Sequence, residues 1–376
     1  MSMFKELQNL IRFFWHTKEE EKALVFYAEH EGYYVNFEGI INILLKKLDK
    51  PFCYVTSDAD DPILQRTEPM IHTFYINKLL STFMTMVKCK VFVMTLTDLN
   101  QFHLKRSKHP VHYNYVFHSL ISTHMSYRLG AFDHYDSVLC TGPYHIKEIR
   151  KHEANYGLKQ KELISAGYYR LERIYQAYQE YLVNNPISRI QKTILIAPSW
   201  GKENLLETCG EELVRILLRK GYEVIVRPHP ETARRNPKLI SSLLSDFGED
   251  SDFTLEMSVS TDDSILRADV LICDLSGIAL EYALGTERPV LFVDAPLKVN
   301  NEKYNDIGIE PIELKIRSRM GVVISMEDID QVPQKLSELL SENDNYKQVL
   351  EDLRKELVFS FLNSSEIGAD YLISLL

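Results

Sequence analysis

Residues 268–283 read ADVLICDLSGIALEYA, and they decide the fold. Val270–Cys273 is a four-residue run with no polar face. It ends abruptly in Asp274, then a small hydroxyl-glycine pair, Ser276-Gly277, opens a helical pattern carrying Glu281. A short strand that is apolar on both faces has to be covered on both faces, which is the condition of a parallel sheet flanked by crossover helices. The same phrase recurs on either side. Thr193–Ala197, Glu223–Val226, Val290–Val293 and Val322–Ser325 predict further strands, with helices such as Asn204–Lys220 between them. The first half predicts strands over Ala23–Ala28, Phe52–Thr56, Lys90–Thr95, Tyr113–His118, Ser137–Thr141 and Leu163–Ala166, with helices over Gly39–Leu48 and His145–Glu153. Two such sheets in tandem make an α/β chain of two Rossmann-like domains.

A boundary falls at Asn184-Asn185-Pro186-Ile187-Ser188, after a helix over Tyr168–Val183 and before a new strand. This gives a first domain at 1–185, a second at 186–350 and a C-terminal helix at 351–376 that could pack back on the first. The tail from Met326 onward reads as helical.

Composition narrows the function. The chain has 376 residues and a net charge of −10, which disfavours a nucleic-acid partner. Its five cysteines are scattered without a CxxC pair, as in a reduced cytosolic protein without structural zinc. No apolar run is long enough to span a membrane, and no signal peptide is evident. Phe4, Leu7, Leu10, Ile11 and Phe14 recur at helical spacing beside Phe13 and Trp15. That helix either packs on the protein's own core, the more ordinary arrangement, or lies through residues 4–15 on the inner face of a membrane.

Open α/β sheets bind ligands beyond the carboxyl ends of their strands, so the residues just after each strand carry the chemistry. After Thr193–Ala197 comes Pro198-Ser199-Trp200-Gly201, either a plain turn or a tight loop able to approach a ligand. After Glu223–Val226 comes Arg227-Pro228-His229-Pro230. Each proline restrains the residue before it toward extended geometry, so Arg227 and His229 are held on stiff backbone. Arginine suits bidentate phosphate contact, and histidine suits hydrogen bonding or proton transfer near neutral pH. After Val270–Cys273, Asp274, Ser276 and Gly277 open a helix whose free N–H groups could seat a phosphate, with Glu281 one turn on to bond a ribose. Asp274 and Ser276 could equally serve as helix caps. In the first half, His118-Ser119 ends a strand and would face the cleft, Asp133 precedes a strand, and Arg170 follows one. His103, His109, His112 and His124 lie in the same region without metal-ligand spacing, so no metal site is expected.

The ordered set Pro198-Ser199-Trp200, Arg227-Pro228-His229-Pro230, Asp274-Leu275-Ser276-Gly277 with Glu281, and Arg288-Pro289-Val290-Leu291-Phe292 resembles the CDP-glycerol glycerophosphotransferase family of teichoic-acid and capsule enzymes. His118-Ser119 looks like that family's His-Gly, and Gly167-Tyr168-Tyr169-Arg170-Leu171-Glu172 like its G-x-P-R-x-D. Asn363-Ser364-Ser365 is a weak echo of its C-terminal Asp-Gly. The resemblance spans about residues 110–300. The chain departs from the pattern at Ser119 for Gly, Tyr169 for Pro, Glu172 for Asp, Leu275 for Tyr and Gly277 for Ser. The resemblance implies a GT-B fold and transfer of a polyol phosphate from a CDP-linked donor to a hydroxyl of a glycan or lipid-linked acceptor, with release of CMP. It makes His118 the general base and places His229 and Arg227 at the pyrophosphate. Ser199, Trp200, Asp274, Ser276, Gly277 and Glu281 would line the donor side, and Arg170 and Asp133 the acceptor side. No cofactor is required, although magnesium is compatible with the scheme. Two alternatives share the pattern: a GT-B glycosyltransferase using a UDP- or CMP-sugar, and an inactive GT-B-like binding subunit.

Overall fold

The computed structural model describes residues 3–102, 104–185, 190–201, 203–258 and 261–376. Seven parallel strands form the first sheet: β1 (Leu24–Ala28), β2 (Phe52–Thr56), β3 (Ile71–Tyr75), β4 (Val91–Met94), β5 (His112–Val116), β6 (Ser137–Cys140) and β7 (Glu162–Ser165). Their order is β3-β2-β1-β4-β5-β6-β7. Six more form the second: β8 (Thr193–Ile196), β9 (Glu223–Val226), β10 (Phe253–Leu255), β11 (Val270–Cys273), β12 (Val290–Asp294) and β13 (Gly321–Ser325). Their order, β10-β9-β8-β11-β12-β13, repeats the same winding. In each sheet the order reverses beside the first strand, leaving a crevice at the carboxyl ends where a doubly wound sheet binds its ligand.

The strands read from the sequence are present within a residue or two of their expected ends. β3 and β10 were not expected. Both are edge strands with a single neighbour, so they need less apolar character: β3 carries His72 and Thr73 at half-buried positions, and β10 is only Phe-Thr-Leu. β5 stops at Val116, so His118 stands on the loop beyond the strand and not within it.

The expected boundary lies at 186–189, outside the described residues. The helix before it, Tyr169–Asn184, packs against Ile278–Thr286 of the second sheet. Leu171 and Ile174 share one apolar core with Leu280, Ala283 and Leu284. Gly285 allows this approach, since a Cβ there would lie 2.6 Å from the Ile174 side chain. The tail returns across the molecule. Helix Asn343–Leu357 buries Leu350 and Leu353 in that same core, and Phe359 then donates its N–H to the Thr141 carbonyl of the first domain at 2.8 Å. Helix Ser364–Ser374 lies on Tyr34–Lys47, with Ala369 and Leu372 buried beside Ile40 and Ile41 and Lys47 paired to Glu366 and Asp370.

At the other end, helix Met3–Ile11 runs into a π-helical turn over Arg12–His16. One face is the core helix expected: Leu10 and Phe13 are buried, and the Glu6 carboxylate accepts the N–H groups of Asn77 and Leu79, each at 2.7 Å. The opposite face is also apolar and open. Phe4 is 68% and Trp15 70% exposed, with Met3, Leu7 and Ile11 in the same stripe.

Candidate active site

A cavity of about 610 Å³ lies between the two sheets and is lined from both. On the second-domain side, Asp274 directly follows β11 and is buried. Its carboxylate accepts the N–H of Ser199 at 2.7 Å and of Leu205 at 3.3 Å. Burial pushes its pKa up, and those N–H groups oppose the rise. Asp274 therefore fixes the loop that presents Ser199 and Trp200 and does not itself line the cavity. Ser276 and Gly277 line the cavity at the start of helix Ile278–Thr286, and their carbonyls accept the N–H groups of Ala279 and Leu280.

The Arg-Pro-His-Pro turn follows β9. His229 is extended at φ −60° and ψ 141°, as its position before proline requires, and Pro230 begins helix Pro230–Arg235. The Nδ1 of His229 accepts the N–H of Glu231 at 3.1 Å. A neutral imidazole that accepts at Nδ1 must carry its proton on Nε2. Burial, reinforced by Lys298, pushes the His229 pKa down to about 4, so the ring is a neutral Nε2–H donor at physiological pH. Arg227 is buried and donates to the Thr261 carbonyl at 3.1 Å and the Ser264 hydroxyl at 3.3 Å while lining the cavity.

From the first domain, His118 projects into the cavity between Tyr33 and Tyr127, both edge-on to its ring. The Tyr115 hydroxyl lies 3.5 Å from its Nδ1. Burial lowers the His118 pKa to about 4, so it too is neutral and able to accept a proton. Two departures from the family pattern, Ser119 and Gly277, face one another across the cleft. A Cβ at position 277 would lie 2.6 Å from Ser119 Oγ.

Glu281 and Arg170 do not divide into donor and acceptor sides. They are bonded to each other. Glu281 accepts the Tyr168 hydroxyl at 2.9 Å and Arg170 Nε at 2.8 Å, and Arg170 also lies 3.7 Å from Asp262. The cluster joins the domains at the cavity wall. Further ties run alongside, from the buried Glu313 to the Ser122 N–H and hydroxyl and from Asn301 to the His124 carbonyl. Asp133 is placed elsewhere. It pairs with His152 at 2.9 Å beside a separate small cavity and does not line the cleft. The sequence put it near the site because it precedes β6, but residues that precede a parallel strand sit at the opposite end from those that follow it.

Among the cavity residues that the sequence did not single out are His30 and Lys298. His30 follows β1, where the rule of looking after each strand would have found it; it accepts the Gly32 N–H at Nδ1, as His229 does for Glu231. Lys298 follows β12 at a distance of several residues and has no motif around it. Among the described residues no group of three or more His, Cys, Asp or Glu is placed to hold a metal ion; His103 lies outside them. No described helix is long and apolar enough to cross a membrane.

Two Rossmann-like domains facing across a ligand-sized cleft are the GT-B architecture, and solved structures with this arrangement match the whole chain. The wall teichoic acid polymerase TagF matches with a TM-score of 0.62 and 14% identity over 99% of this chain and 97% of its own. A TagF variant soaked with CDPG matches with a TM-score of 0.61 and 15% identity over 99% of this chain and 96% of its own. The MnaA–UDP structure from S. aureus matches with a TM-score of 0.56 and 12% identity over 95% of this chain and 98% of its own. No curated protein matches significantly. The family model for CDP-Glycerol:Poly(glycerophosphate) glycerophosphotransferase matches residues 9–307, and the chain belongs to that family of glycerophosphotransferase enzymes.

Proposed function

We propose that the protein transfers glycerol phosphate, or a closely similar polyol phosphate, from a CDP-linked donor to a hydroxyl of a cell-surface glycan or lipid-linked acceptor. The observation that carries this reading is the pairing of two neutral histidines across one cleft: His118 from the first domain, and His229, with its proton on Nε2, from the second. The acceptor oxygen attacks the donor phosphorus that bears the polyol. The bond from that phosphorus to the bridging oxygen breaks, and CMP leaves with the electron pair. His118 takes the acceptor proton, a role open to a neutral imidazole. His229 donates Nε2–H to a phosphate oxygen, and Ser276, Gly277 and the helix N-terminus add N–H and O–H donors where charge develops. Arg227 supplies positive potential from the wall. Catalysis is then mainly positioning and electrostatic stabilisation.

The exposed stripe of Met3, Phe4, Leu7, Ile11 and Trp15 supports peripheral contact with a membrane that carries the acceptor.

The test is nucleotide release from separate donors. Purified protein with a lipid-linked or glycan acceptor is expected to release CMP from CDP-glycerol or CDP-ribitol and no nucleotide from CMP- or UDP-sugars. His118→Ala and His229→Ala are each expected to reduce turnover at least about 100-fold. Release of UDP, or of CMP from a CMP-sugar alone, would replace polyol phosphate transfer with glycosyl transfer.

A further inference from the structure

Three cations line the cleft among the described residues: Arg170, Arg227 and Lys298. Two are committed. Arg170 is neutralised by Glu281 and Asp262, and Arg227 donates into the segment at Thr261 and Ser264. Among the described residues Lys298 has no such ion-pair partner. Its ammonium rests 3.2 Å from the centroid of the Trp200 ring, and Glu231 and Asp274 act on it only at longer range. Arg235 lies 4.5 Å from the same ring. Burial and Arg235 both disfavour the Lys298 charge and lower its pKa to about 8. A half-buried ammonium held against an aromatic face beside a second cation is a charge without its anion.

The position of Lys298 is built. It stands on the segment after β12, which crosses the cleft and is fastened to the first domain. Asn300 Nδ2 donates to the Ser126 carbonyl at 2.7 Å, and Asn301 Nδ2 donates to the His124 carbonyl at 2.9 Å. The segment brings Lys298 to the indole that neighbours His229, whose ring centroid is 6.1 Å from that of Trp200. The cation therefore sits beside the neutral Nε2–H donor and the Ser199 loop.

We propose that Lys298 is a donor-binding residue whose ammonium contacts a phosphate oxygen of a nucleoside-diphosphate donor while its stem stays against Trp200. The proposal rests on the functional reading above for the diphosphate, but not for the base or the polyol. A compact, strongly hydrated ammonium on a flexible stem is suited to this point contact, whereas the two arginines are spread over fixed partners.

Calorimetric titrations test it. Wild-type, Lys298→Ala and Lys298→Arg proteins are each titrated with CDP-glycerol and with cytidine, which lacks the phosphates, and in parallel with a UDP-sugar and uridine. Lys298→Ala is expected to weaken the diphosphate ligand at least tenfold and to leave the matching nucleoside unchanged. Lys298→Arg, which keeps the positive charge, is expected to restore part of that loss, while the unchanged nucleoside affinity separates a phosphate contact from a structural role. Unchanged affinity for the diphosphate in Lys298→Ala, or an equal loss for diphosphate and nucleoside, overturns the proposal. If the wild-type protein binds the UDP-sugar and not CDP-glycerol, the functional reading fails, while a loss confined to the UDP-sugar in Lys298→Ala still upholds Lys298. Failure of the wild-type protein to bind either diphosphate overturns both.

Discussion

Replacing Glu281 separates a domain tie from a ligand contact. Its carboxylate accepts two bonds, from the Tyr168 hydroxyl at 2.9 Å and Arg170 Nε at 2.8 Å, and both donors belong to the first domain's share of the chain. Glu281→Ala leaves a buried phenol without an acceptor and removes the nearest counter-charge of Arg170. Asp262 remains 3.7 Å from that guanidinium, but it is already bonded to Arg173 at 2.5 Å. Removing one partner of a buried pair costs roughly 3–5 kcal/mol, and the residual field of Asp262 places this case at the low end, about 3 kcal/mol. Glu281→Gln keeps the volume and one accepting oxygen, so about half that loss is expected, ~1.5 kcal/mol. The assay is guanidinium denaturation of Glu281→Ala, Arg170→Ala and the double variant, followed by far-UV circular dichroism. A tie of this kind gives a coupling energy of about 2 kcal/mol, because each single change orphans the other group. Single effects that add to within ~0.5 kcal/mol would refute the reasoning. A rise in donor KM with no coupling to Arg170 would restore Glu281 to ribose binding alone.

The Ser119–Gly277 contact predicts non-additivity of another sort. Gly277→Ser is expected to lower kcat/KM by crowding Ser119, and the exchange double variant Ser119→Gly/Gly277→Ser to recover most of the loss; equal activity in the single and double variants would disprove the compensation. The open apolar stripe predicts sedimentation with anionic lipid vesicles that is abolished by Phe4→Ser/Leu7→Ser/Trp15→Ser, with no loss of CMP release to a water-soluble acceptor; unchanged sedimentation would remove the membrane contact. Acid stability follows from His118, His145 and His229, each held near a pKa of about 4 by burial. Their unfolded value is about 6.5, so the unfolded chain takes up protons first and stability is lost as pH falls from about 6.5 toward 4. His145→Gln is expected to flatten that slope of urea-denaturation free energy against pH, and an unaltered slope would show that His145 contributes nothing to it.

Most strands were legible because a buried parallel strand leaves a strong mark, a short apolar run bounded by turn residues. β3 and β10 left none, since an edge strand with one neighbour tolerates His72, Thr73 and Thr254. The second-domain site was legible for a related reason: proline and glycine mark where backbone geometry is constrained, and Arg227, His229, Ser276 and Gly277 sit among them. The partnership of Glu281 with Arg170 was not legible. Nothing local in either segment announces that the helix at Tyr169–Asn184 packs on the opposite domain, and that packing is what spends both charges on each other. Lys298 was missed for the same cause, because its place is set by Asn300 and Asn301 bonding across the cleft and not by its own neighbours in sequence.

The proposed function requires a chain of net charge −10 to present a seat for a diphosphate. Opposed formal charges placed in the cleft would cancel one another, as Arg170 and Glu281 do. In the proposed reading the cleft relies instead on neutral donors, the Nε2–H of His229 and the hydroxyl of Ser276, which both line it. Such dipoles are fixed before the ligand arrives and need little reorganisation as charge develops on the bridging oxygen that would depart with CMP. Their weakness is that dipoles do not neutralise net charge. A seat built this way needs at least one mobile cation held in reserve, close enough to reach the phosphates and not already paired. Arg227 is fixed in the wall by its bonds to Thr261 and Ser264, and Arg170 is spent on the domain contact. Lys298, resting on Trp200, is the cation we propose for that role.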